Sequence, residues 1–293
     1  MHYMQVPSHV EYERATSVEH ALSLLSRPDT RVLAGGHSLI PMMKLRLAQP
    51  EVLVDINDLA ELSYIRLDGG QLRIGALARH ADLLDSAVAG ELFPIFHDAE
   101  RVVADPIVRL WGTVGGSLCQ ADPSEDLSAV FAAARAVAVI RGQDGDREIP
   151  VRQFHLGPYE TVIGPGELLA EVRVPVPVPA HGGAGSAYEK VARRVGDWSV
   201  AAVGAVLRLG KDHIQDAGIG LTAVGAEHFV AAEAEDFLRG RAPDGESFRA
   251  AGAIAAEHCH PVADQRGPED YKRHLVAELT ARALCHAAER ASR

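Results

Sequence analysis

A run of alternate prolines, Pro175-Val176-Pro177-Val178-Pro179, followed at once by Ala180-His181-Gly182-Gly183-Ala184-Gly185, cuts this chain in two. Proline cannot donate to a β-ladder, and the glycines beyond it keep the backbone loose, so no strand or helix continues through the segment. The boundary falls there and gives units of 1–177 and 178–293. Both are of ordinary domain size for a chain of 293 residues. With 47% hydrophobic and 24% charged residues, the chain has the apolar content for a real core and nothing of a disordered profile.

Before the break the patterns alternate between helix and strand. Thr16 and Glu19 are spaced as a capping box, and Val18, Ala21, Leu22 and Leu25 recur at helical period up to Pro28 and Asp29. Short apolar strands are predicted over Arg31–Ala34 and Val52–Ile56, with a non-turn segment, Leu39–Leu47, between them. Asp68-Gly69-Gly70 separates Ser63–Leu67 from Gln71–Ala76 and signals a hairpin. Helices are expected over Arg79–Ala87, Leu92–Val103 and Asp126–Arg135, and strands over Ala136–Arg141 and Leu168–Val174. After the break, strands at Ala187–Val191, Ser199–Leu209 and Ile214–Val224 precede helices at Ala231–Leu238, Ser247–His258 and Pro268–Arg290. Three strands followed by three helices make a small α+β layer domain.

Composition narrows the chemistry. No stretch approaches the roughly 18 consecutive apolar residues of a membrane span, and the opening residues lack the regions of a signal peptide, so the expected location is cytoplasmic. Cys119, Cys259 and Cys285 are too few and too far apart for a disulfide framework or for the four thiolates of an iron–sulfur cluster. A net charge of −11 opposes nucleic acid as a partner and means that an anionic ligand is held by local donors. Fourteen histidines form no HExxH, and His258-Cys259-His260 lacks partners at ligand spacing, so no metal site is expected. No GxxxxGK[ST] occurs. Gly218-Ile219-Gly220-Leu221-Thr222-Ala223 matches a dinucleotide fingerprint in letters but runs on into apolar residues and reads as a glycine-containing strand.

Two glycine pairs remain, in Ala34-Gly35-Gly36-His37-Ser38 and Thr113-Val114-Gly115-Gly116-Ser117. Glycine admits positive φ and close approach, and successive free N–H groups form a nest for phosphate oxygens. Both pairs are expected at tight turns, two nests suggesting a diphosphate. A β-branched residue at Gly35 or Gly115 is then expected to abolish retention of the ligand and leave the fold largely intact. Cys119, beside the second pair, reads as a small buried filler or a reactive thiol.

These stretches, AGGHSLIPMMKLRLA over Ala34–Ala48 and TVGGSLCQADPSED over Thr113–Asp126, resemble the FAD-binding medium subunit of molybdenum hydroxylases, most nearly that of the aerobic carbon monoxide dehydrogenases. The resemblance continues through Tyr188-Glu189-Lys190, Arg193–Trp198 and Asp264–Pro268, essentially the whole chain. It implies a two-subdomain α+β FAD-binding domain of the p-cresol methylhydroxylase and vanillyl-alcohol oxidase type, with subdomains of about 1–56 and 57–177, followed by the family's C-terminal flavoprotein domain. It further implies that Ala34, Gly35, Gly36, His37, Ser38 and Leu39, with Thr113, Val114, Gly115, Gly116 and Ser117, embrace the FAD diphosphate. Asp126 matches an aspartate that contacts the cofactor, a bare helix cap being the other reading, and Asp122 reads as a cap for the helix after Pro123. Leu169 matches an apolar position near the flavin, or is a core leucine. Lys190 and Trp198 reach the FAD from the second unit. Trp198 stands where close relatives often have tyrosine, and Ser117 where many have asparagine.

By the same resemblance, this chain carries no catalytic acid, base or hydroxylase substrate site. It implies a molybdopterin-binding large subunit, a small subunit with [2Fe–2S] clusters and a dimer of such heterotrimers, with electrons passing from the clusters through FAD to an external acceptor. A hydroxylase of purines, aldehydes or N-heterocycles would use the same medium subunit, and a flavin-free assembly module is the reading of another class.

Overall fold

The computed structural model describes residues 6–177 and 182–292; Val178 to His181, part of the proline–glycine break, lie outside the described residues. Parallel pairing organises the first sixty positions. Strands β1 (Glu11–Arg14), β2 (Thr30–Leu33) and β3 (Val52–Asp55) form a sheet in the order β1-β3-β2. Parallel neighbours need crossovers, supplied here by α1 (Val18–Leu25) and α2 (Leu39–Lys44). The expected apolar stripe of α1 is buried, but Ser17 rather than Thr16 caps it, its hydroxyl accepting from His20 N at 3.1 Å. Strand β1 was not anticipated: Glu-Tyr-Glu-Arg offers neither alternation nor a β-branched run, and parallel pairing with β3 alone makes it a strand.

The second sheet is antiparallel, in the order β4-β5-β10-β6-β7. Its members are β4 (Ile65–Asp68), β5 (Gln71–Gly75), β6 (Val137–Gly142), β7 (Gly145–Pro150) and, after a two-strand ribbon of β8 (His155–Gly157) and β9 (Glu160–Thr161), β10 (Leu168–Pro175). The hairpin turns where Asp68-Gly69-Gly70 predicted, with both glycines at positive φ. Between β5 and β6 run six short helices: α3 (His80–Asp85), α4 (Ala87–Leu92), α5 (Pro94–Glu100), α6 (Pro106–Trp111), α7 (Val114–Gln120) and α8 (Asp126–Ala133). Two longer helices were expected at the start of this stretch. Local chemistry breaks them: Ser86 caps α4 and Pro94 opens α5.

Beyond the break, β11 (Ala184–Ala192), β12 (Ser199–Leu209) and β13 (Ile214–Thr222) form one antiparallel sheet, followed by α9 (Ala232–Leu238), α10 (Gly245–Glu257) and α11 (Glu269–Ala291). The expected three strands and three helices are all present. Val203, Ala205, Leu207, Ile219 and Leu221 face these helices, while Tyr188 and Ala202 join the core of the preceding unit. Being covered on both faces, β12 reads as a continuous apolar run. The letters of the dinucleotide fingerprint lie in β13, as the strand reading required. A Cβ on Gly218 or Gly220 would collide with the carbonyl oxygens of Ala133 or Ala129, so these glycines leave the bare surface on which α8 lies.

Candidate functional site

A cleft of about 1120 Å³ opens where the three sheets approach one another. Its walls come from the loop between β2 and α2, the α6–α7 junction, the start of α8, the first residues of β10, and Lys190 with the Gly196–Trp198 loop from the C-terminal sheet. Ala34 through Leu39, Thr113, Gly115, Gly116, Ser117, Asp126, Leu169, Lys190 and Trp198 all line it. Of the residues singled out from sequence only Val114 stands apart, fully buried beneath.

The two glycine pairs do different physical work. In the first, Gly36 is left-handed at φ +75°, and the N–H groups of Gly35, Gly36, His37, Ser38 and Leu39 have no acceptor among the described residues. Five successive free donors border the cleft. The second pair is not a left-handed turn: it forms the first turn of α7, capped by Thr113, and neither glycine has positive φ. Its donors are engaged, Val114 N with Ala78 O (2.9 Å), Gly115 N with Ala76 O (2.8 Å), Gly116 N with Thr113 Oγ1 (3.0 Å) and Ser117 N with Thr113 O (3.0 Å). A Cβ at Gly115 would stand 2.7 Å from Ala76 Cβ, and one at Gly35 would strike the Trp111 carbonyl. Both positions therefore require glycine so that chain can pack on chain. This corrects the expectation that bulk at either would spare the fold.

The C-terminal sheet completes the site through Asp126. Its Oδ1 accepts from Tyr188 OH at 2.5 Å and Ser199 Oγ at 2.9 Å, and its Oδ2 from Lys190 Nζ at 2.8 Å. Lys190 Nζ also donates to Val102 O at 3.2 Å. Asp126 is not the cap of α8. Glu125 is, with both carboxylate oxygens 2.9 Å from Ser128 N. Asp122 instead accepts from Ser124 N at 2.9 Å within the preceding turn. Burial pushes the Glu125 carboxyl up to about 8, with the Asp126 charge adding to it.

Leu169 is buried in β10 beside a bulge that shifts the register toward Glu171. Trp198 is 45% exposed, on a loop held by Asp197 Oδ1 accepting from Trp198 N at 2.9 Å. Cys119 is exposed on the cleft wall rather than buried as filler. Sequence reasoning missed Glu125, Tyr188 as a partner of Asp126, and His80. His80 carries no local signal, because it reaches Ser117 only through packing, whereas Glu125 adjoins Asp126 in the chain and Tyr188 lies two residues from Lys190 on β11.

Residues 8–177 match the family described as FAD binding domain in molybdopterin dehydrogenase, and residues 186–287 match the CO dehydrogenase flavoprotein C-terminal domain. The chain belongs to the FAD-binding subunits of the molybdenum hydroxylases. This flavoprotein is 38% identical to the carbon monoxide dehydrogenase medium chain of Afipia carboxidovorans, over 98% of its own length and 99% of that relative's. It is 35% identical to the glyceraldehyde dehydrogenase medium chain of Sulfolobus acidocaldarius, covering 95% of this chain and 98% of the relative. Among solved structures it is similar to a cyanide-inactivated Cu,Mo-CO dehydrogenase, with TM-score 0.92 and 38% identity over 98% and 100% of the two chains. Quinoline 2-oxidoreductase from Pseudomonas putida 86 follows at TM-score 0.90 and 30% identity, with the same coverage. Membership makes this an oxidoreductase subunit with FAD as its cofactor.

The site suits that cofactor on its own chemistry. A dinucleotide needs donors for a diphosphate, and the unpaired N–H run at Gly35–Leu39 offers them without a lysine. It also needs an apolar wall and a planar face for the ring system, and Leu169 and Trp198 border the same cleft.

Proposed function

We propose that this chain is the electron-transfer subunit of a carbon monoxide dehydrogenase-like molybdenum hydroxylase, taking electrons from [2Fe–2S] clusters on a small subunit and delivering them to an external acceptor. Residues 1–177 form the FAD-binding domain, in subdomains of about 1–56 and 57–177, and residues 178–293 the C-terminal flavoprotein domain. A molybdopterin-binding large subunit is the other partner, and the assembly is a dimer of heterotrimers in the cytoplasm. The carrying observation is the row of five unpartnered N–H groups in a cleft whose far wall comes from the C-terminal sheet. Among the described residues no helix is long and apolar enough to cross a membrane, and no group of side chains could hold a metal ion.

FAD supplies a carrier able to exchange electrons singly or in pairs. The chain binds and orients it. Gly35 to Leu39 hold the diphosphate through main-chain donors, with the Ser38, Thr113 and Ser117 hydroxyls adding to them. Asp126 and Lys190 fix the C-terminal sheet against the cleft. Leu169 and Trp198, which border the cleft, would flank the ring system and limit its contact with water.

The same subunit in a hydroxylase of aldehydes, purines or N-heterocycles is a second reading, supported by the full-length similarity to the glyceraldehyde and quinoline enzymes. The deciding experiment is co-purification of the chain with its partners and anaerobic addition of carbon monoxide, an aldehyde, a purine or quinoline. About one FAD per chain, with flavin absorbance bleached by carbon monoxide alone, is the expected result. Bleaching only by an organic substrate selects the second reading, and a complex that neither contains nor takes up flavin sinks both.

A further inference from the structure

A buried acid–base pair with no role so far stands at the cleft: His80 lines it and Glu100 lies behind His80. Glu100, at the end of α5, is 0% exposed, and His80, at the start of α3, is 4% exposed. His80 Nδ1 stands 2.9 Å and 3.0 Å from the two Glu100 oxygens, and among the described residues His80 is the only hydrogen-bond partner of that carboxylate. The other ring nitrogen, Nε2, is 3.3 Å from Ser117 Oγ, and Ser117 lines the cleft. A carboxylate sunk so deep against a single imidazole contributes little to net stability, since apolar side chains of the same volume would serve as well. Its chemistry is more telling. Both oxygens approach Nδ1 almost equally, the geometry of an N–H donating to a carboxylate, so Glu100 fixes the proton at that nitrogen.

We propose that Glu100 and His80 are positioning residues that turn the Ser117 hydroxyl outward, as a donor to a phosphate oxygen of the bound flavin nucleotide. The inference rests on the FAD site described above. With Nδ1–H committed to Glu100 and Nε2 also protonated, Nε2–H donates to Ser117 Oγ, and the hydroxyl hydrogen points into the cleft. If Nε2 loses its proton, Ser117 donates backward to the ring and presents only lone pairs to an anion. The second glycine loop depends on this hydroxyl because the N–H groups of Val114 to Ser117 are already engaged.

The surroundings favour the charged ring. Burial opposes the imidazolium most strongly, while the charge and hydrogen bond of Glu100, with Asp126 and the ionised form of Glu125 on α8, favour it, and the balance raises His80 above the usual imidazole range. Burial, with the Asp126 charge, raises the Glu100 carboxyl, while the His80 ring beside it and Arg109 of α6 pull toward the ionised form that its two-oxygen contact with Nδ1 calls for. A serine, a histidine and a glutamate in series also resemble a nucleophile with its base. The engaged N–H groups leave no main-chain donors in the first turn of α7 for a tetrahedral oxyanion, so positioning is the role the geometry supports.

The test is a double-mutant cycle on the full chain, stripped of flavin and titrated with FAD, with circular dichroism to verify folding. A hydrogen bond to a charged group contributes about 1.5–3 kcal/mol, so Ser117→Ala and Glu100→Gln are each expected to raise the FAD Kd roughly tenfold or more. The double variant is expected to be no worse than either single one. The Kd of the parent protein should also rise with pH as Nε2 deprotonates, and Ser117→Ala should remove that dependence. Additive losses, or a folded Glu100→Gln protein with unchanged affinity, overturn the relay and leave the FAD site standing. A parent chain that binds no FAD overturns both. If Glu100→Gln does not fold, His80→Gln takes its place in the cycle.

Discussion

Gly36 is the residue on which the first loop turns. Its φ of +75° is the left-handed conformation that L side chains adopt at a cost of about 1–2 kcal/mol. Space is not the obstacle, because a Cβ there would meet Ile40 Cγ1 at 3.3 Å and Leu33 Cδ1 at 3.4 Å, both flexible side-chain atoms. Strain alone would reorient the free donors on either side. We expect Gly36→Val to lower the melting temperature slightly and flavin content severely, read as FAD absorbance per chain after gel filtration. Gly35 and Gly115 behave oppositely. Bulk there meets backbone or a packed alanine, so loss of fold precedes loss of cofactor. Letters alone could not separate these cases: Gly-Gly marks both a left-handed bend and a helix start pressed against a strand.

At the scale of elements, α8 carries the most unusual terminus. Its cap, Glu125, is buried and holds a carboxyl raised from an ordinary 4.5 to about 8. Below the unfolded value the group is protonated in both states and its contribution to stability is fully present. Between the two values the folded chain keeps a proton that the unfolded chain releases, so stability falls as pH rises through about 8. Glu125→Gln should flatten that part of the curve, measured as urea midpoints from pH 5 to 9. An unaltered slope would mean that Glu125 ionises freely where it lies.

Elements with their own periodicity were legible from sequence: α1, the Asp68-Gly69-Gly70 hairpin, and all six elements after the break lie within a few residues of where the patterns placed them. What pattern could not show were elements made by their neighbours. Strand β1 exists by pairing with β3. The α6–α7 junction packs against the first glycine loop, where a Cβ on Gly35 would strike the Trp111 carbonyl. For the site the division is similar. The glycine loops were visible because their chemistry is local, whereas His80 meets Glu100 and Ser117 through helix packing across sequence separations that no motif spans.

Across the whole molecule, two further carboxylates tie the sheets together as Asp126 does. Glu235, on α9, accepts from Arg152 at 2.6 and 2.9 Å and from Ile219 N at 2.7 Å, with Arg135 at 3.5 Å. Asp98, on α5, pairs with Arg290 of α11 at 2.5 Å and 3.1 Å. Breaking a buried pair from one side costs about 3–5 kcal/mol, because the stranded charge stays in the interior. Glu235→Ala removes the acid that Arg152 needs, and we expect one calorimetric transition to become two as the C-terminal unit melts first. A single sharp transition at the original temperature would show that the units hold together without it.

The cleft's last wall, Lys190 and the Gly196–Trp198 loop, is contributed late in the polypeptide. The free N–H row is synthesised some 150 residues earlier and waits for it. A ribosome-bound chain that has not yet emitted its final third can therefore offer FAD only an open, half-built groove. A chain cut short before Lys190 would keep the donor row without the wall that faces it, and should hold FAD less tightly than the full chain.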